Sequence, residues 1–158
     1  MNVEIINPFV KSAIDVIKTM AFTESKPGKP YIKKDNSSVG DVSGLIGLTG
    51  EKNSGSFAIS FSEGCIREIV FNMLGEKFEE INKDILDAVG EITNMISGGA
   101  RKMLKEKGYN FKMAIPSIIS GKSHIISNIT DIPVIVLPFD TEKGPFVIEV
   151  CLNDKKSP

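Results

Sequence analysis

Apolar residues in the second half of the chain recur at a spacing that predicts one long helix, over residues 77–107. An α-helix has about 3.6 residues per turn, so side chains three or four positions apart share a face. The positions that follow this rule are Ile81, Ile85, Val89, Ile92, Ile96, Gly99 or Ala100, and Met103. They form one continuous apolar stripe, which we expect to pack on the core of the protein.

A polar stripe runs along the same helix and is formed by Asp87, Glu91 and Asn94. Each of these residues follows an apolar stripe residue by two positions, which is a rotation of roughly 200° around the helix axis. The polar stripe is therefore predicted to lie almost opposite the core. Any amphipathic helix has a solvated face of this kind, so the pattern alone favours a purely structural interpretation.

Small residues border the polar stripe, namely Gly90, Ser97 and Gly98. A glycine inside a helix costs about 1 kcal/mol relative to alanine, and this helix also contains Gly99. A merely solvated face does not need such residues, whereas a face that another backbone approaches closely does. We therefore expect the functional surface of the protein to lie along the polar stripe.

Turn residues and shorter apolar patterns divide the rest of the chain into two further helices and several strands. Asn7 is predicted to cap a helix over residues 8–22, because Pro8 suits the first helical position. A second helix over residues 66–74 is predicted to end at Gly75. The predicted strands are 31–34, 42–49, 56–61, 111–115, 124–127, 133–139 and 145–152.

This order of elements predicts an α+β fold in which helices cover an antiparallel sheet. A helix followed by strands occurs once in each half of the chain, which suggests a pseudo-duplicated helix-plus-strands unit. Two hairpins are expected, with turns at residues 50–55 and 141–144. We expect a single domain over residues 1–153 and a flexible tail over residues 154–158.

The composition argues against several classes of partner and site. The 158 residues carry a formal net charge of −1, which does not favour nonspecific binding to nucleic acid or to an anionic membrane. No apolar run approaches the roughly 18 to 20 residues that span a bilayer, and no signal peptide is expected at the start. Cys65 and Cys151 lie in apolar segments and are interpreted as buried, reduced thiols of a cytosolic protein. With His124 as the lone histidine, a zinc site is not expected.

The polar stripe also resembles a known signature. Asp87, Glu91 and Asn94 at this spacing, with Pro116 further on, resemble the motif of the CheC/CheX/FliY phosphatases of bacterial chemotaxis. The surrounding segment AVGEITNMISGGAR is similar to the helix that carries this motif in the family. The opening segment VEIINPFVKSAIDVIKTM is similar to the start of CheX proteins in particular. The resemblance covers essentially the whole chain and implies a CheC-like fold.

A second Glu-x-x-Asn occurs at Glu4 and Asn7. Because Asn7 is predicted to be the helix cap, Glu4 is expected to precede the helix and not to share a face with Asn7. We interpret this pair as structural. CheC-type members of the family carry one site in each half, so the chain is expected to be of the one-site CheX type.

The resemblance implies that the substrate is phosphorylated CheY, whose phosphoryl group is carried by an aspartate and whose own site binds Mg²⁺. No metal or organic cofactor is expected in this chain. By the resemblance, Asn94 would position the attacking water and Glu91 would pair with the active-site lysine of CheY. A homodimer is also implied. The residues expected to contact the partner are Asp87, Gly90, Ser97 and Gly98.

Two alternatives belong to other functional classes. A noncatalytic CheY-docking or flagellar-switch module on the same scaffold would use the polar stripe for binding alone, although the intact Glu91 and Asn94 pair favours catalysis. A stand-alone hydrolase of small phosphates is less well supported, because no metal ligands cluster in the sequence. This alternative predicts activity on free acetyl phosphate, whereas a phosphatase of CheY is expected to have none.

Overall fold

The computed structural model describes residues 3–34, 40–126 and 132–153, which form three helices and one antiparallel sheet. The helices are α1 (Val3–Ala21), α2 (Glu63–Leu74) and α3 (Lys83–Glu106). The strands are β1 (Lys26–Pro27), β2 (Tyr31–Ile32), β3 (Gly40–Thr49), β4 (Ser54–Phe61), β5 (Lys112–Met113), β6 (Ser117–His124), β7 (Ile135–Thr141) and β8 (Gly144–Leu152). The predicted tail at 154–158 lies outside the described residues.

The sheet has eight strands, and its order is β1-β7-β8-β4-β3-β5. The short strand β2 also pairs with β7, while β6 pairs with β3 beyond the end of β5. Both predicted hairpins are present, since β3 pairs with β4 and β7 pairs with β8. The α+β prediction is therefore confirmed, whereas the pseudo-duplicated unit stays a prediction.

The core lies between the helices and one face of the sheet. Alternate residues of β4, namely Phe57, Ile59 and Phe61, are 0% exposed, as the period of two in a strand requires. The ring of Phe9 on α1 stacks on the ring of Phe57 with centroids 5.3 Å apart. Aromatic and branched side chains of this kind contribute most of the apolar area that stabilises such a layer.

A buried ion pair holds the opposite face of the sheet. Lys33 Nζ lies 2.7 Å from Glu149 Oε1, and the two side chains are 10% and 3% exposed. Lys33 Nζ also donates to the carbonyl oxygen of Ile126 at 2.6 Å. Nearby, the hydroxyl groups of Ser43 and Ser60 bond each other across β3 and β4 at 2.6 Å. The ion pair offsets the cost of burying the two charges, whereas Glu149 Oε2 accepts no hydrogen bond from the described residues.

The first helix begins earlier than predicted. It starts at Val3, so Asn7 is not its cap and Pro8 lies inside the helix. A proline at this position removes one backbone hydrogen bond. Ile5 and Ile6 are nevertheless 4% and 3% exposed, and burial of two such side chains contributes more than that bond, about 1.5–3 kcal/mol each.

Two other boundaries also differ from the prediction. The long helix begins at Lys83, because Asn82 caps it, so residues 77–82 are not helical. The strand expected at 124–127 is instead β6, at Ser117–His124, and residue 127 lies outside the described residues. Most of β6 is exposed, and an exposed edge strand lacks the buried alternation from which strands are predicted.

A glycine in β3 sets how closely α3 approaches the sheet. A Cβ added to Gly44 would overlap Thr93 Oγ1 on α3, and Thr93 is itself 0% exposed. Only glycine leaves room for the helix at this point. Gly47, on the same strand, has open space around its Cα.

We expect Gly44→Ala to lower the free energy of unfolding by about 1–3 kcal/mol, because overpacking forces helix and sheet apart. Gly47→Ala is the matched control and is expected to change stability by less than about 0.5 kcal/mol. Urea denaturation of both variants measures this difference. Equal stability of the two variants would contradict the close contact at Gly44.

Candidate functional site

The polar stripe is carried by α3, which begins at a well-defined N-cap. Asn82 Oδ1 accepts a hydrogen bond from the backbone N–H of Ile85 at 3.0 Å. This satisfies one of the N–H groups for which the first turn of a helix has no internal partner. The helix then continues for 24 residues to Glu106. The stripe therefore lies on regular secondary structure, which holds side chains more precisely than a loop does.

The three residues of the polar stripe all face solvent. Asp87, Glu91 and Asn94 are exposed, while the three apolar residues that precede them by two positions are 0% exposed. The predicted orientation of the stripe, away from the core, is confirmed. A carboxylate and a carboxamide one turn apart form a surface that can pair with a cation and bind water at the same time.

Ser97 does not belong to this surface. Its side chain is 0% exposed, and its Oγ donates to the carbonyl oxygen of Thr93 at 2.8 Å. Three residues after Asn94, Ser97 is rotated by about 60° toward the sheet. The prediction that Ser97 contacts a partner is wrong, because its hydroxyl serves the backbone of its own helix.

The glycines next to the stripe have different neighbours. Gly90 faces β6, where an added Cβ would lie 3.5 Å from Ile118 Cδ1, an ordinary contact distance. Gly98 is half-buried and lies about 80° from Gly90 around the axis, within the outward face. Because neither residue has a side chain, the backbone of the helix is accessible beside Asn94.

Gly99 is explained by packing inside the protein. A Cβ on Gly99 would overlap Ser12 Oγ on α1, and Ser12 Oγ donates to the carbonyl oxygen of Ile96 at 2.7 Å. Gly99 thus allows α1 and α3 to pack closely. Gly99 is therefore not evidence for a partner-binding surface.

The second Glu-x-x-Asn lies on a helix, in contrast to the prediction. Because α1 begins at Val3, Glu4 and Asn7 are one turn apart on the same side of it. Asn7 is exposed and Glu4 is half-buried. Their surroundings differ from those of α3, since Lys11 follows Asn7 by four residues where Gly98 follows Asn94. A long charged side chain there restricts the approach of a second backbone.

The one carboxylate with a clearly shifted pKa lies elsewhere among the described residues. The backbone N–H of Ser123 donates to Asp41 Oδ1 at 3.0 Å, and that of Glu63 donates to Oδ2 at 2.8 Å. These bonds hold the pKa of Asp41 below its ordinary value, against the opposing effect of burial. Asp41 therefore ties β3 to α2 and β6, which is a structural role.

The cysteines and the histidine are also structural. Cys65 and Cys151 are both buried, as predicted, and no disulfide bond joins them. Burial raises the pKa of the Cys65 thiol to about 11, partly offset by a hydrogen bond from Thr141. His124 Nε2 bonds Ser43 Oγ, and its Nδ1 bonds the carbonyl oxygen of Gly121 at 3.0 Å. A thiol of this pKa is almost entirely protonated at neutral pH, so it is a poor nucleophile.

Metal ligands do not cluster in the described part of the chain, where no group of three or more His, Cys, Asp or Glu side chains is placed to hold an ion. None of the helices in that part has the length and apolar character to cross a membrane. A groove of about 370 Å³ runs beside α2 and is lined by Arg67, Phe71 and Phe78 among others. It does not include the polar stripe.

Comparison with solved structures defines the class of protein. A CheC-like superfamily protein from Shewanella sp. PV-4 is 51% identical and superimposes with a TM-score of 0.94, covering 98% of this chain and 100% of that one. The CheX–CheY–BeF3–Mg²⁺ complex from Borrelia burgdorferi contains a chain that superimposes with a TM-score of 0.81 at 22% identity, over 97% of this chain and 100% of that chain. The architecture is therefore that of the CheC-like proteins.

Residues 42–140 match the family model described as chemotaxis phosphatase CheX, and the chain belongs to that family. A curated relative, the CheY-P phosphatase CheX of Thermotoga maritima, is 28% identical over 123 residues, which are 77% of this chain and 79% of that protein. The matched region contains the polar stripe and Pro116, whereas Glu4 and Asn7 lie before it.

Two residues that position or adjoin α3 were not singled out from the sequence. Gly44 sets the height of α3 above the sheet, and a glycine inside a predicted strand is a known signal for close approach of another backbone. Ile115 is 90% exposed, in the connection between β5 and β6. An isoleucine in an apolar segment is expected in the core, so no sequence signal pointed to its exposure.

The N-cap of α3 provides a test of how the stripe is supported. We expect Asn82→Ala to lower the free energy of unfolding by about 0.5–2 kcal/mol. The free energy of unfolding of Asn82→Asp is expected to stay within about 0.3 kcal/mol of the wild type, because aspartate caps a helix equally well. Chemical denaturation at neutral pH measures both variants. If alanine and aspartate were equivalent at this position, the hydrogen bond to Ile85 would contribute nothing to stability.

Proposed function

We propose that this protein is a phosphatase that hydrolyses the aspartyl phosphate of a CheY-type response regulator. The observation that carries the proposal is the exposed pair Glu91 and Asn94, one turn apart on α3. Membership of the CheX family supports it. The Thermotoga relative bears the name CheY-P phosphatase, and the Borrelia structure is a complex of CheX with CheY.

Asn94 would supply the central catalytic contribution by holding the attacking water. Its amide oxygen accepts a hydrogen bond from the water, and its NH₂ group donates to the phosphoryl oxygens. The water oxygen forms a new bond to phosphorus while the bond from phosphorus to the aspartate oxygen breaks. The products are inorganic phosphate and a free carboxylate. Phosphoryl transfer needs positioning more than covalent participation, and a glutamine acts similarly in GTPases.

Glu91 would anchor the regulator by pairing with the lysine in its active site. The carboxylate lies one helical turn before Asn94, so this ion pair would fix the register at which Asn94 enters the partner. Asp87 lies one further turn away and would add a peripheral contact. Gly90 and Gly98 would allow close approach of the regulator's backbone loops. The ion pair with the lysine would occupy the Glu91 carboxylate, so a role as general base is not part of the proposal.

Mg²⁺ belongs to the regulator in this proposal. The Borrelia complex contains Mg²⁺ together with CheY, and carboxylates of a receiver domain are suitable ligands for this ion. The described residues of the present chain offer no comparable cluster. The metal would neutralise charge on the phosphoryl group, while this chain contributes the amide and the anchoring carboxylate.

The second candidate is a noncatalytic docking module that uses the same exposed stripe for binding alone. Both candidates require Asp87 and Glu91 to contact the regulator. They differ in whether Asn94 accelerates loss of phosphate or only adds to the affinity. Free acetyl phosphate is a useful additional substrate, because neither candidate predicts its hydrolysis without the regulator.

The test is the rate at which the phosphorylated regulator of the same organism loses phosphate. Asn94→Ala is expected to lower kcat by at least about 100-fold while binding persists, because the water loses its orientation. Glu91→Ala is expected to raise KM by about 10-fold, the loss of one hydrogen-bonded ion pair. Lys105→Ala is the control, since it lies about 16 Å further along the same helix.

Binding without acceleration by the wild type would favour the docking module. If the wild type neither binds the regulator nor accelerates its dephosphorylation, both candidate functions are excluded. A wild-type rate in Asn94→Ala would leave the phosphatase activity intact but exclude this residue as its source.

We also propose a homodimer formed through β6. This strand pairs with β3 on one side only among the described strands, and Ile119 on it is 37% exposed. The first five residues of this edge strand, Ser117–Gly121, carry no charge, and an uncharged edge segment is suited to pairing with a second copy across a two-fold axis.

Light scattering is expected to give about twice the chain mass of 17.2 kDa. Ile119→Lys is expected to give the monomer mass, because a lysine on an edge opposes strand addition. Ile32→Lys on β2, at the other margin of the sheet, is the matched control. A wild type of monomer mass would contradict the dimer.

A further inference from the structure

Ile115 is the most exposed large apolar side chain in the described part of the protein, at 90%. It lies between β5 and β6, outside the core cluster. A single exposed apolar residue is ordinary on a protein surface. Its significance depends on what lies next to it.

Ile115 lies next to the side of α3 that carries Asn94. At one point along this side, Gly90 faces Ile118 of β6. At another, Arg101 Nη1 donates to the carbonyl oxygen of Phe111 at 3.4 Å. Asn94 lies about 40° from Gly90 and about 20° from Arg101 around the helix axis. The segment 111–118 therefore runs beside this side of the helix, and Ile115 lies near its middle.

The backbone holds Ile115 in place from both sides. The N–H of Ala114 donates to the carbonyl oxygen of Gly47 at 3.4 Å, and Ser117 begins the pairing of β6 with Leu45. Pro116 restricts the preceding residue to extended conformations. The apolar side chain is thus presented at a defined position beside the stripe, at little cost in conformational entropy on binding.

We propose that Ile115 is a docking residue that packs on an apolar part of the response regulator's surface, next to the phosphorylated aspartate, when Asn94 enters the regulator's active site. The inference rests on the proposed function and extends the partner surface from α3 to the β5–β6 connection. Gly90 and Gly98 have no side chains that would keep a partner away from this side of the helix. A partner surface that reaches Asn94 therefore also covers Ile115. Burial of this side chain contributes affinity and leaves the chemical step unchanged.

The experiment is steady-state dephosphorylation of the regulator by Ile115→Ser. KM is expected to rise about 10-fold, the effect of losing one buried aliphatic side chain, while kcat stays within two-fold of wild type. Ile115→Leu is expected to restore the wild-type KM. Ile32→Ser is the matched control, because Ile32 is 46% exposed on β2 at the opposite margin of the sheet. Thermal unfolding checks that all three variants are folded.

An active wild type with an unchanged KM in Ile115→Ser overturns the inference and leaves the proposed function intact. A fall from dimer to monomer mass in Ile115→Ser assigns the residue to self-association and also overturns it. If the wild type binds the regulator without activity, the proposed function fails, and the inference then requires Ile115→Ser to weaken that binding about 10-fold. If the wild type does not bind the regulator, the proposed function and the inference about Ile115 are both wrong.

Discussion

The close packing of α3 on β3 at Gly44 and Thr93 is the contact on which the arrangement of the site depends. Thr93 is fully buried there, and its hydroxyl donates to the carbonyl oxygen of Val89 at 2.7 Å. Because Thr93 points into the sheet, the next residue, Asn94, turns outward by about 100°. A side chain larger than glycine at position 44 would overlap Thr93 Oγ1 and would displace the helix that carries the proposed site.

The two flanks of α3 determine what can reach the polar stripe. On one flank, α1 is held by the bond from Ser12 to the carbonyl oxygen of Ile96 and by the space at Gly99. On the other flank lies the β5–β6 segment, which carries the exposed Ile115. A partner is therefore expected to approach over the face that Gly90 and Gly98 leave bare. A rigid helix between two fixed flanks suits a site whose task is to position a water.

The two Glu-x-x-Asn pairs show that a motif depends on its surroundings. Both pairs lie on helices with one turn between the acid and the amide. On α3 the residue four positions after the asparagine is a glycine, Gly98, whereas on α1 it is Lys11. An amide that must enter a partner's active site requires a low surface next to it. This steric requirement distinguishes the two pairs better than the motif itself does.

The sequence by itself determined the apolar face of α3, the outward direction of its polar stripe, the end of α2 at Gly75 and both hairpins. These features follow from local periodicity and from turn residues, which act within a few positions of the chain. The tertiary structure alone decided that α1 begins at Val3, that Ser97 is buried, that Gly99 serves α1 and that Ile115 is exposed. Periodicity reports which side of a helix is apolar, but the neighbours on its flanks come from distant parts of the chain. Burial against those neighbours outweighs local preferences such as that of Pro8 for a helix start.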